Sequence, residues 1–276
     1  NSNSGAAYIF ERDANGNWGT AVSNQSYYNE NQMLKASNAG NGDEFGRSVA
    51  ISGTYAIIGA QDQNTPGNDA GAAYIFERDA NGNWGTEVSS QSYRNETQML
   101  KASDAAGSDL FGHSVGISGN YAIVGADGAG AAYIFERDAN GNWGTDVSGQ
   151  SYRNETQILT VNNAGSAQYF GISVAIYGNN AIISAYGKRS VYIFQRNSNG
   201  VWEEKKEVSG TGTFGICVGI SGTYAIVGNK DGSGSAYIYE APTTTTMTPT
   251  SLSFDTDTLT IENTIIDTDS DKVSYA

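Results

Sequence analysis

The chain has 276 residues with a net charge of −14, and it contains 35 glycines, 17 tyrosines, three prolines and one cysteine. The acidity argues against nucleic acid and anionic membrane surfaces as partners, because both repel a negatively charged protein. The single cysteine excludes an internal disulfide, and no apolar run reaches the roughly 20 residues that a membrane-spanning helix needs.

The first predicted strand, residues 6–11, belongs to a sixteen-residue segment, GAAYIFERDANGNWGT, that occurs three times without change. The copies are residues 5–20, 71–86 and 130–145, and a fourth, altered copy begins at Ser190. Repeated units of this kind bury their apolar faces against their neighbours. Because every residue in the segment recurs, a unique catalytic site inside it is not expected.

A complete unit predicts four β-strands and no helix. In the unit that starts at Phe45, the four strands are residues 48–52, 55–60, 72–78 and 84–102. Short apolar or alternating runs between turn residues are typical of such strands. Gly53-Thr54 predicts a two-residue hairpin turn, and Asn81-Gly82 predicts a type I′ turn, in which both central residues have positive φ. The fourth strand begins at Trp84 and resumes at residue 98 after an insertion.

Four antiparallel strands in a meander, repeated along the chain, are typical of the blades of a β-propeller. The recurring pattern Leu-x-Ala-Ser…Phe-Gly-x-Ser-Val-x-Ile-Ser-Gly-x-Tyr-Ala-Ile-(Ile/Val)-Gly-Ala…Gly-Ala-Ala-Tyr-Ile-Phe resembles the FG-GAP repeat. That repeat is the blade unit of integrin α-subunit-like propellers and of many secreted bacterial proteins. The resemblance extends from Gly5 to about Pro242, and it implies a β-propeller in an extracellular or cell-surface setting.

The strand count sets the number of blades at four to five. Three strands in each of four units, four segments led by tryptophan and the initial strand make seventeen, whereas four blades need sixteen and five need twenty. The N-terminus supplies the third and fourth strands of a blade without its first two, and the last unit, residues 214–240, lacks its fourth. Integrin-like propellers have seven blades, so this chain departs from them. The prediction is an all-β fold, a β-propeller of four-stranded antiparallel blades with a β-rich C-terminal tail.

Composition divides the chain into three parts. Residues 1–241 form the predicted propeller, residues 242–250 a Thr/Pro-rich linker, and residues 251–276 a tail with three short predicted strands. Two arrangements of the tail follow: it closes its own ring as a fifth blade, or it adds strands to the next subunit. The nine-residue linker favours subunit exchange, because closure within one chain does not require so long a tether.

Calcium is the candidate cofactor that the resemblance implies. FG-GAP repeats of the integrin type carry a calcium loop of the form Asp-x-(Asp/Asn)-x-(Asp/Asn)-Gly-x-x-Asp. Asp62 and Asn64 keep the first and third ligand positions, Pro66 replaces the fifth, and Asp69 is the final acid, shifted by one position. Calcium needs six or more oxygen ligands, so these three residues would form only part of a site.

A second candidate calcium loop lies in the tail. Asp267, Asp269 and Asp271 have the DxDxD opening of a calcium loop, with Lys272 in place of the expected glycine. A solvated turn without metal is the alternative interpretation of this segment.

The remaining reactive residues predict structural roles. His113 is the only histidine, and Cys217 stands where the other units have serine. Without an evident partner, neither is expected to act as a base or a nucleophile. The four tryptophans are predicted to pack between blades, and the Glu-Arg-Asp triplets, such as residues 11–13, to pair across strands on a solvated face.

These observations predict a non-enzymatic, secreted β-propeller that builds an extracellular or cell-surface structure, a self-assembling filament formed through terminal strand exchange. The expected partner is then another copy of the chain. The alternative is an adhesin or ligand-binding module of a larger surface protein, whose inserted loops contact cell-surface proteins or glycans. An enzyme such as a glycoside hydrolase needs a unique pair of acids, and repeated acids provide none.

Overall fold

The computed structural model describes residues 4–23, 25–64, 69–162 and 168–240, and the backbone alone of residues 249–255 and 258–261. Its regular structure is almost entirely β, as predicted, with a short 3-10 helix at Tyr186–Lys188. None of the helical residues described forms a segment with the length and hydropathy that crossing a bilayer requires.

The described strands begin with a half-blade and a small hairpin. Their bounds are β1 Ala7–Ile9, β2 Thr20–Ala21, β3 Tyr28–Asn29 and β4 Gln32–Leu34. The half-blade pairs β1 with β4 in antiparallel register, and the hairpin pairs β2 with β3. By sequence, β1 and β4 are the third and fourth strands of a unit, as the strand count predicts.

Blades 1 and 2 are four-stranded antiparallel meanders, each with a hairpin inserted before its fourth strand. Blade 1 consists of β5 Ser48–Ser52, β6 Tyr55–Ala60, β7 Ala72–Glu77 and β10 Gln98–Leu100, with the hairpin β8 Thr86–Glu87 and β9 Tyr93–Asn95. Blade 2 consists of β11 Ser114–Ser118, β12 Tyr121–Ala126, β13 Ala131–Glu136 and β16 Gln157–Leu159, with the hairpin β14 Thr145–Asp146 and β15 Tyr152–Asn154.

Blades 3 and 4 lack the inserted hairpin. Blade 3 consists of β17 Phe170–Tyr177, β18 Asn180–Ala185, β19 Ser190–Arg196 and β20 Trp202–Ser209. Blade 4 consists of β21 Val218–Ser221, β22 Tyr224–Asn229, β23 Ser235–Glu240, β24 Pro249–Asp255 and β25 Thr258–Ile261. Four successive antiparallel meanders and a half-blade confirm the predicted blades of a β-propeller.

The first strand of the tail pairs within the chain. β24 begins one residue before the predicted end of the linker and lies antiparallel to β23, so it supplies the fourth strand that blade 4 lacked in the prediction. β25 pairs with the outer edge of β24 as a fifth strand. The predicted strand at residues 272–275 lies outside the described residues. Ring closure and subunit exchange by the tail therefore remain predictions.

Two local predictions about the repeated segment are wrong. Trp84 does not open the fourth strand: it forms a single bridge with Arg78, and β10 alone is the fourth strand. Only blade 3, which has no insertion, begins its fourth strand at the tryptophan. The turn at Asn81-Gly82 is not type I′, because Gly82 has a φ of 88° whereas Asn81 is not among the residues with positive φ. The Asp79 carboxylate accepts hydrogen bonds from the backbone around this turn and sets its geometry instead.

Each hydrophobic cluster joins two consecutive units. The cluster between blades 1 and 2 contains Ile57 from one blade and Val115 and Ile117 from the other. Equivalent clusters join the half-blade to blade 1, blade 2 to blade 3, and blade 3 to blade 4. Because strands such as β7 lie between two such clusters, both of their faces are buried.

The Phe-Gly landmark marks the junction between neighbouring units. Phe111 packs edge-on against Tyr133 and Phe135 of its own blade, and it bridges to Gly71 of the preceding one. Gly112 has a φ of 96°, and a Cβ there would lie 2.4 Å from the backbone oxygen of Ala72. Only glycine combines this backbone conformation with so close an approach of two blades.

Candidate interaction surface

At three of the junctions, a glutamine from the fourth strand of one unit holds the outer rim. The side-chain oxygen of Gln98 accepts a hydrogen bond of 2.8 Å from the backbone N–H of Trp143 in the next blade. Gln32 and Gln157 do the same for Trp84 and Trp202, at 2.7 and 2.8 Å. The repeated tryptophan therefore has a junction role, as the sequence predicts.

A tyrosine at the start of the second strand completes this rim. Tyr55 packs edge-on against Trp143, with ring centroids 5.5 Å apart, and the Arg137 guanidinium lies 4.8 Å from the centre of the tyrosine ring. Tyr121 repeats the contact with Trp202, also at 5.5 Å. An edge-to-face pair of this kind contributes about 0.5–1.5 kcal/mol beyond its buried area.

Ion pairs cross the same junctions. Arg78 lies 3.2 Å from Glu11 of the preceding unit, and Arg196 lies 2.9 Å from Glu136. Glutamate and arginine at the triplet positions thus pair between neighbouring units on partly exposed side chains, and the sequence did not indicate that the pairing crosses a junction. Because these side chains are partly exposed, each pair contributes at most about 1 kcal/mol, and the pairs serve mainly to set the alignment of neighbouring blades.

The inserted hairpins also reach the preceding unit. β9 lies parallel to β4 of the half-blade, and β15 lies parallel to β10 of blade 1. The hairpins of blades 1 and 2 therefore each cover the outer edge of the unit before. Sequence reasoning treated the insertion as an interruption of the fourth strand and missed this contact, because parallel pairing between distant segments leaves no local pattern.

The N-terminal end of this series is uncovered. Trp18 is 59% exposed, whereas Trp84, Trp143 and Trp202 are at most 3% exposed. Tyr8 and Phe10 are also exposed, although their counterparts in the complete blades are buried. These aromatic residues line an open groove of about 710 Å³ whose far wall includes the exposed Val49 and Ile51. The groove lies where the first two strands of the half-blade would be.

Blade 4 has exposed side chains on the opposite face. Tyr224 is 53% exposed and Ile226 is 44% exposed, whereas the counterparts of Ile226, namely Ile57, Ile123 and Ile182, are fully buried. Tyr224 holds the position in blade 4 that Tyr55 holds in blade 1, at the start of the second strand. The half-blade and blade 4 thus expose opposite halves of one repeated junction.

The first candidate calcium loop brings its acids together only in part. Asp62 is half-buried, and its desolvation, together with the nearby carboxylates of Glu44 and Asp69, raises its pKa. The side-chain oxygen of Asn64 accepts a 3.1 Å hydrogen bond from the backbone N–H of Asp69. Asp62, Asn64 and Asp69 supply fewer oxygens than calcium requires. Pro66 lies outside the described residues.

Within the described residues, acidic, histidine and cysteine side chains are not clustered for metal binding. Groups of three or more His, Cys, Asp or Glu side chains placed to share an ion do not occur among residues 4–240 as far as these are described. Asp267, Asp269 and Asp271 lie outside the described residues. Calcium binding by either loop stays a prediction.

His113 and Cys217 lie in blades 2 and 4, and only His113 has a close ionisable neighbour among the described residues. His113 contacts the buried carboxylate of Asp127, with its Nδ1 3.1 Å from Oδ1. Asp127 follows β12, and the sequence analysis did not single it out because only one unit combines it with a histidine. Cys217 is an exposed free cysteine.

A buried lysine was also missed. Lys101 follows β10, and its ammonium group donates hydrogen bonds to the side chain of Gln63 and to the backbone oxygen of Gly71. Burial lowers the pKa of Lys101 to about 8. Its counterpart Lys35 instead lies over the ring of Tyr93. Lys101 anchors the loop between β6 and β7, and its signal in the sequence, a lysine after an apolar strand, is too common to identify it.

A sequence profile of the FG-GAP repeat matches residues 28–76, 95–135 and 154–195. Each match ends within the third strand of blade 1, 2 or 3, and each includes the Phe-Gly junction. The chain is an FG-GAP repeat protein. No curated protein sequence matches this FG-GAP protein.

Several solved structures are similar to the FG-GAP protein. A protein from Lactobacillus plantarum is 13% identical with a TM-score of 0.56, covering 95% of this chain and 65% of its own. A functionally unknown protein from Desulfotomaculum acetoxidans is 11% identical with a TM-score of 0.49, covering 87% and 60%. The computationally designed Ika4 protein is 10% identical with a TM-score of 0.43, covering 75% and 96%.

The chain spans 65% of the length of the first of these structures and 60% of the second. At such low identity the likeness to the Lactobacillus plantarum protein shows a shared propeller-like fold. It carries no ligand or activity over to the FG-GAP protein, since one fold serves many functions.

Proposed function

We propose that this FG-GAP protein is a non-enzymatic structural protein of the cell exterior whose propeller units assemble end to end. One observation carries the proposal: the repeated side chains contact each other between blades, and the two ends expose opposite halves of that contact. Residues that recur in every unit and serve its junctions do not form a unique reaction centre. The homopolymer is therefore the expected state, and another copy the expected partner.

An extracellular or cell-surface location is part of the proposal. FG-GAP repeats are typical of extracellular proteins, which supports this location. Antibody labelling of intact and permeabilised source cells tests this location. Labelling of intact cells supports it, whereas labelling only after permeabilisation contradicts it.

Assembly is tested directly on the purified chain. Light scattering after size-exclusion chromatography, over a hundredfold range of concentration, should show a mass that rises with concentration, and electron microscopy should show linear or curved particles. A single mass of one chain at every concentration contradicts assembly. Hydrolase activity that resists further purification contradicts the non-enzymatic part.

Strand exchange by residues 251–276 is one route to assembly. Deletion of residues 249–276 tests it, because this removes β24 and β25 together with the rest of the tail. Folded monomers that no longer assemble support exchange. Aggregation or loss of the fold indicates instead that the tail completes its own blade, in line with the pairing of β24 with β23.

A ligand-binding or adhesin role is the second candidate, and the N-terminal groove favours it. Exposed aromatic rings such as Tyr8, Phe10 and Trp18 are suitable for stacking on sugars or packing on apolar peptide groups. A glycan array distinguishes the two roles. Binding of one glycan class that is lost in Trp18→Ala, by a chain that stays monomeric, replaces assembly with adhesion.

A further inference from the structure

We propose that blade 4 of one copy packs on the half-blade of the next, with Tyr224 against Trp18 and Glu240 beside Arg12. The inference rests on the proposed end-to-end assembly and names the contact through which it occurs. It differs from strand exchange, because both blades keep their own strands.

The aromatic part of the contact copies a junction that occurs twice within the chain. Tyr55 and Trp143, and likewise Tyr121 and Trp202, are paired at 5.5 Å with the tyrosine on the preceding blade. Tyr224 presents the tyrosine half at the C-terminal end. Trp18 presents the tryptophan half at the N-terminal end, bridged to Arg12 as Trp143 is bridged to Arg137.

The second strand of a blade begins with tyrosine when the next unit contains the repeated tryptophan. Blades 1 and 2 precede units with a tryptophan, and they carry Tyr55 and Tyr121. Blade 3 precedes blade 4, in which the sequence has no tryptophan after the third strand, and blade 3 carries Asn180 at this position. Blade 4 again carries Tyr224. Tyr224 is therefore suited to a following tryptophan-bearing unit, and the half-blade of a second copy is such a unit.

Charge and shape agree with this pairing. Glu240 ends β23 as Glu77 ends β7, and Glu77 lies 4.0 Å from Arg137 of the next blade. Arg12 is the counterpart of Arg137. Its Nε donates a long hydrogen bond of 3.3 Å to the backbone oxygen of Gly16 in its own turn. A second copy would bring Glu240 to Arg12. The exposed Ile226 adds apolar area that the internal junctions bury completely.

The glutamine–tryptophan hydrogen bond of the internal junctions has no counterpart between copies, and its absence lowers the expected affinity. Thr250 lies opposite Ile238 in the register position that Gln98 holds opposite Ile75, so no glutamine is available to bond the backbone of Trp18. The contact between copies should therefore be weaker than the internal junctions and should dissociate on dilution. The surfaces that meet are different, so the contact propagates instead of closing as a symmetric dimer.

Two single-end variants test the contact. In Trp18→Arg the N-terminal surface is blocked, and in Tyr224→Arg the C-terminal surface is blocked. Sedimentation velocity should show monomers for each variant alone and one-to-one dimers after mixing, because one intact surface of each kind remains. Tyr177→Arg is the control, since Tyr177 is similarly exposed but lies at the end of β17 in blade 3, and it should assemble like the wild type.

The possible results separate this contact from the proposed function. If the wild type assembles and both variants assemble equally well, the contact is overturned and end-to-end assembly stands. If Trp18→Arg still self-associates while Tyr224→Arg does not, the contact is symmetric and the inference is also overturned. A monomeric wild type overturns both, and a lower melting temperature of monomeric Trp18→Arg would then indicate ring closure within one chain.

Charge exchange is an independent test of the same contact. Arg12→Glu should weaken assembly by a few-fold, since an exposed ion pair contributes little but two facing acids repel. Addition of Glu240→Arg in the same chain should restore it. A double variant no better than Arg12→Glu would place Glu240 away from Arg12 and contradict the proposed alignment.

Discussion

At the scale of single residues, the repeated turn DANGN shows how one carboxylate organises a hairpin. Asp79 accepts backbone hydrogen bonds from Asn81 and Asn83 at 2.9 and 2.8 Å, and Asp138 makes the same bonds. In blade 3, Asn197 replaces the aspartate and still accepts two backbone bonds. The turn therefore requires a side-chain oxygen, whereas the negative charge adds a pH dependence.

This pH dependence can be measured. Hydrogen bonds from Asn83 lower the pKa of Asp79, and those from Asn142 lower the pKa of Asp138. A depressed native pKa contributes stability that is present above the unfolded pKa near 4 and is lost as pH falls through the native pKa. The double variant Asp79→Asn, Asp138→Asn should have the same fold as the wild type. Its free energy of unfolding should fall less than that of the wild type between about pH 5 and pH 2. Urea unfolding at several pH values measures this, and parallel curves would contradict the role of the charges.

Calcium is the second prediction at the residue scale. If Asp62, Asn64 and Asp69 or the loop at Asp267 bind calcium, excess chelator should lower the melting temperature, because an ion bound only by the native state stabilises it. Asp62→Asn would then remove part of the effect. An unchanged melting temperature in chelator would contradict calcium binding by both loops.

At the scale of elements, the Phe-Gly junction is the feature that joins strand pairing to blade packing. Gly112→Ala should destabilise the protein by about 2 kcal/mol or more, through both positive φ and overpacking against the neighbouring backbone. Gly119→Ala is the control, because Gly119 also has positive φ but a Cβ there meets nothing within 4 Å. Chemical denaturation measures the difference between the two variants. Equal losses would mean that φ alone matters and that the close approach of the blades does not.

The elements also show which features can be predicted from sequence. The first three strands of each unit follow from local alternation and from turns such as Gly53-Thr54, whose hairpin register Ser52 to Tyr55 is as predicted. The fourth strand was misplaced because Trp84 has high β propensity but is used as a junction residue. The parallel pairing of β9 with β4 joins segments about 60 residues apart in sequence, and only the folded chain shows it.

The candidate surface was predictable in outline but not in detail. The strand count shows that the first unit lacks two strands, and this accounts for the groove beside Val49 and Ile51. The pairing of Tyr55 with Trp143 across two units has no local signature, so the meaning of the exposed Tyr224 and Trp18 emerged only from the internal copies of that contact.

At the scale of the whole molecule, net charge opposes the assembly that the exposed faces favour. Each copy carries −14, so two approaching copies repel at long range. The facing residues are mainly aromatic and aliphatic, and the one expected ion pair, Arg12 with Glu240, is exposed and contributes little. Long-range repulsion should therefore dominate the response of assembly to salt.

Assembly should strengthen as salt rises from about 10 mM to about 150 mM, where the screening length falls from about 30 Å to about 8 Å. Sedimentation velocity at fixed protein concentration measures the change. Assembly of Arg12→Gln should also strengthen with salt, because screening acts on the net charge of the whole molecule. Sodium chloride and magnesium chloride of equal ionic strength separate general screening from binding of a divalent ion to the acidic loops. If assembly weakens with salt, ion pairs hold the copies together, and the apolar contact through Tyr224 and Trp18 is not its main component.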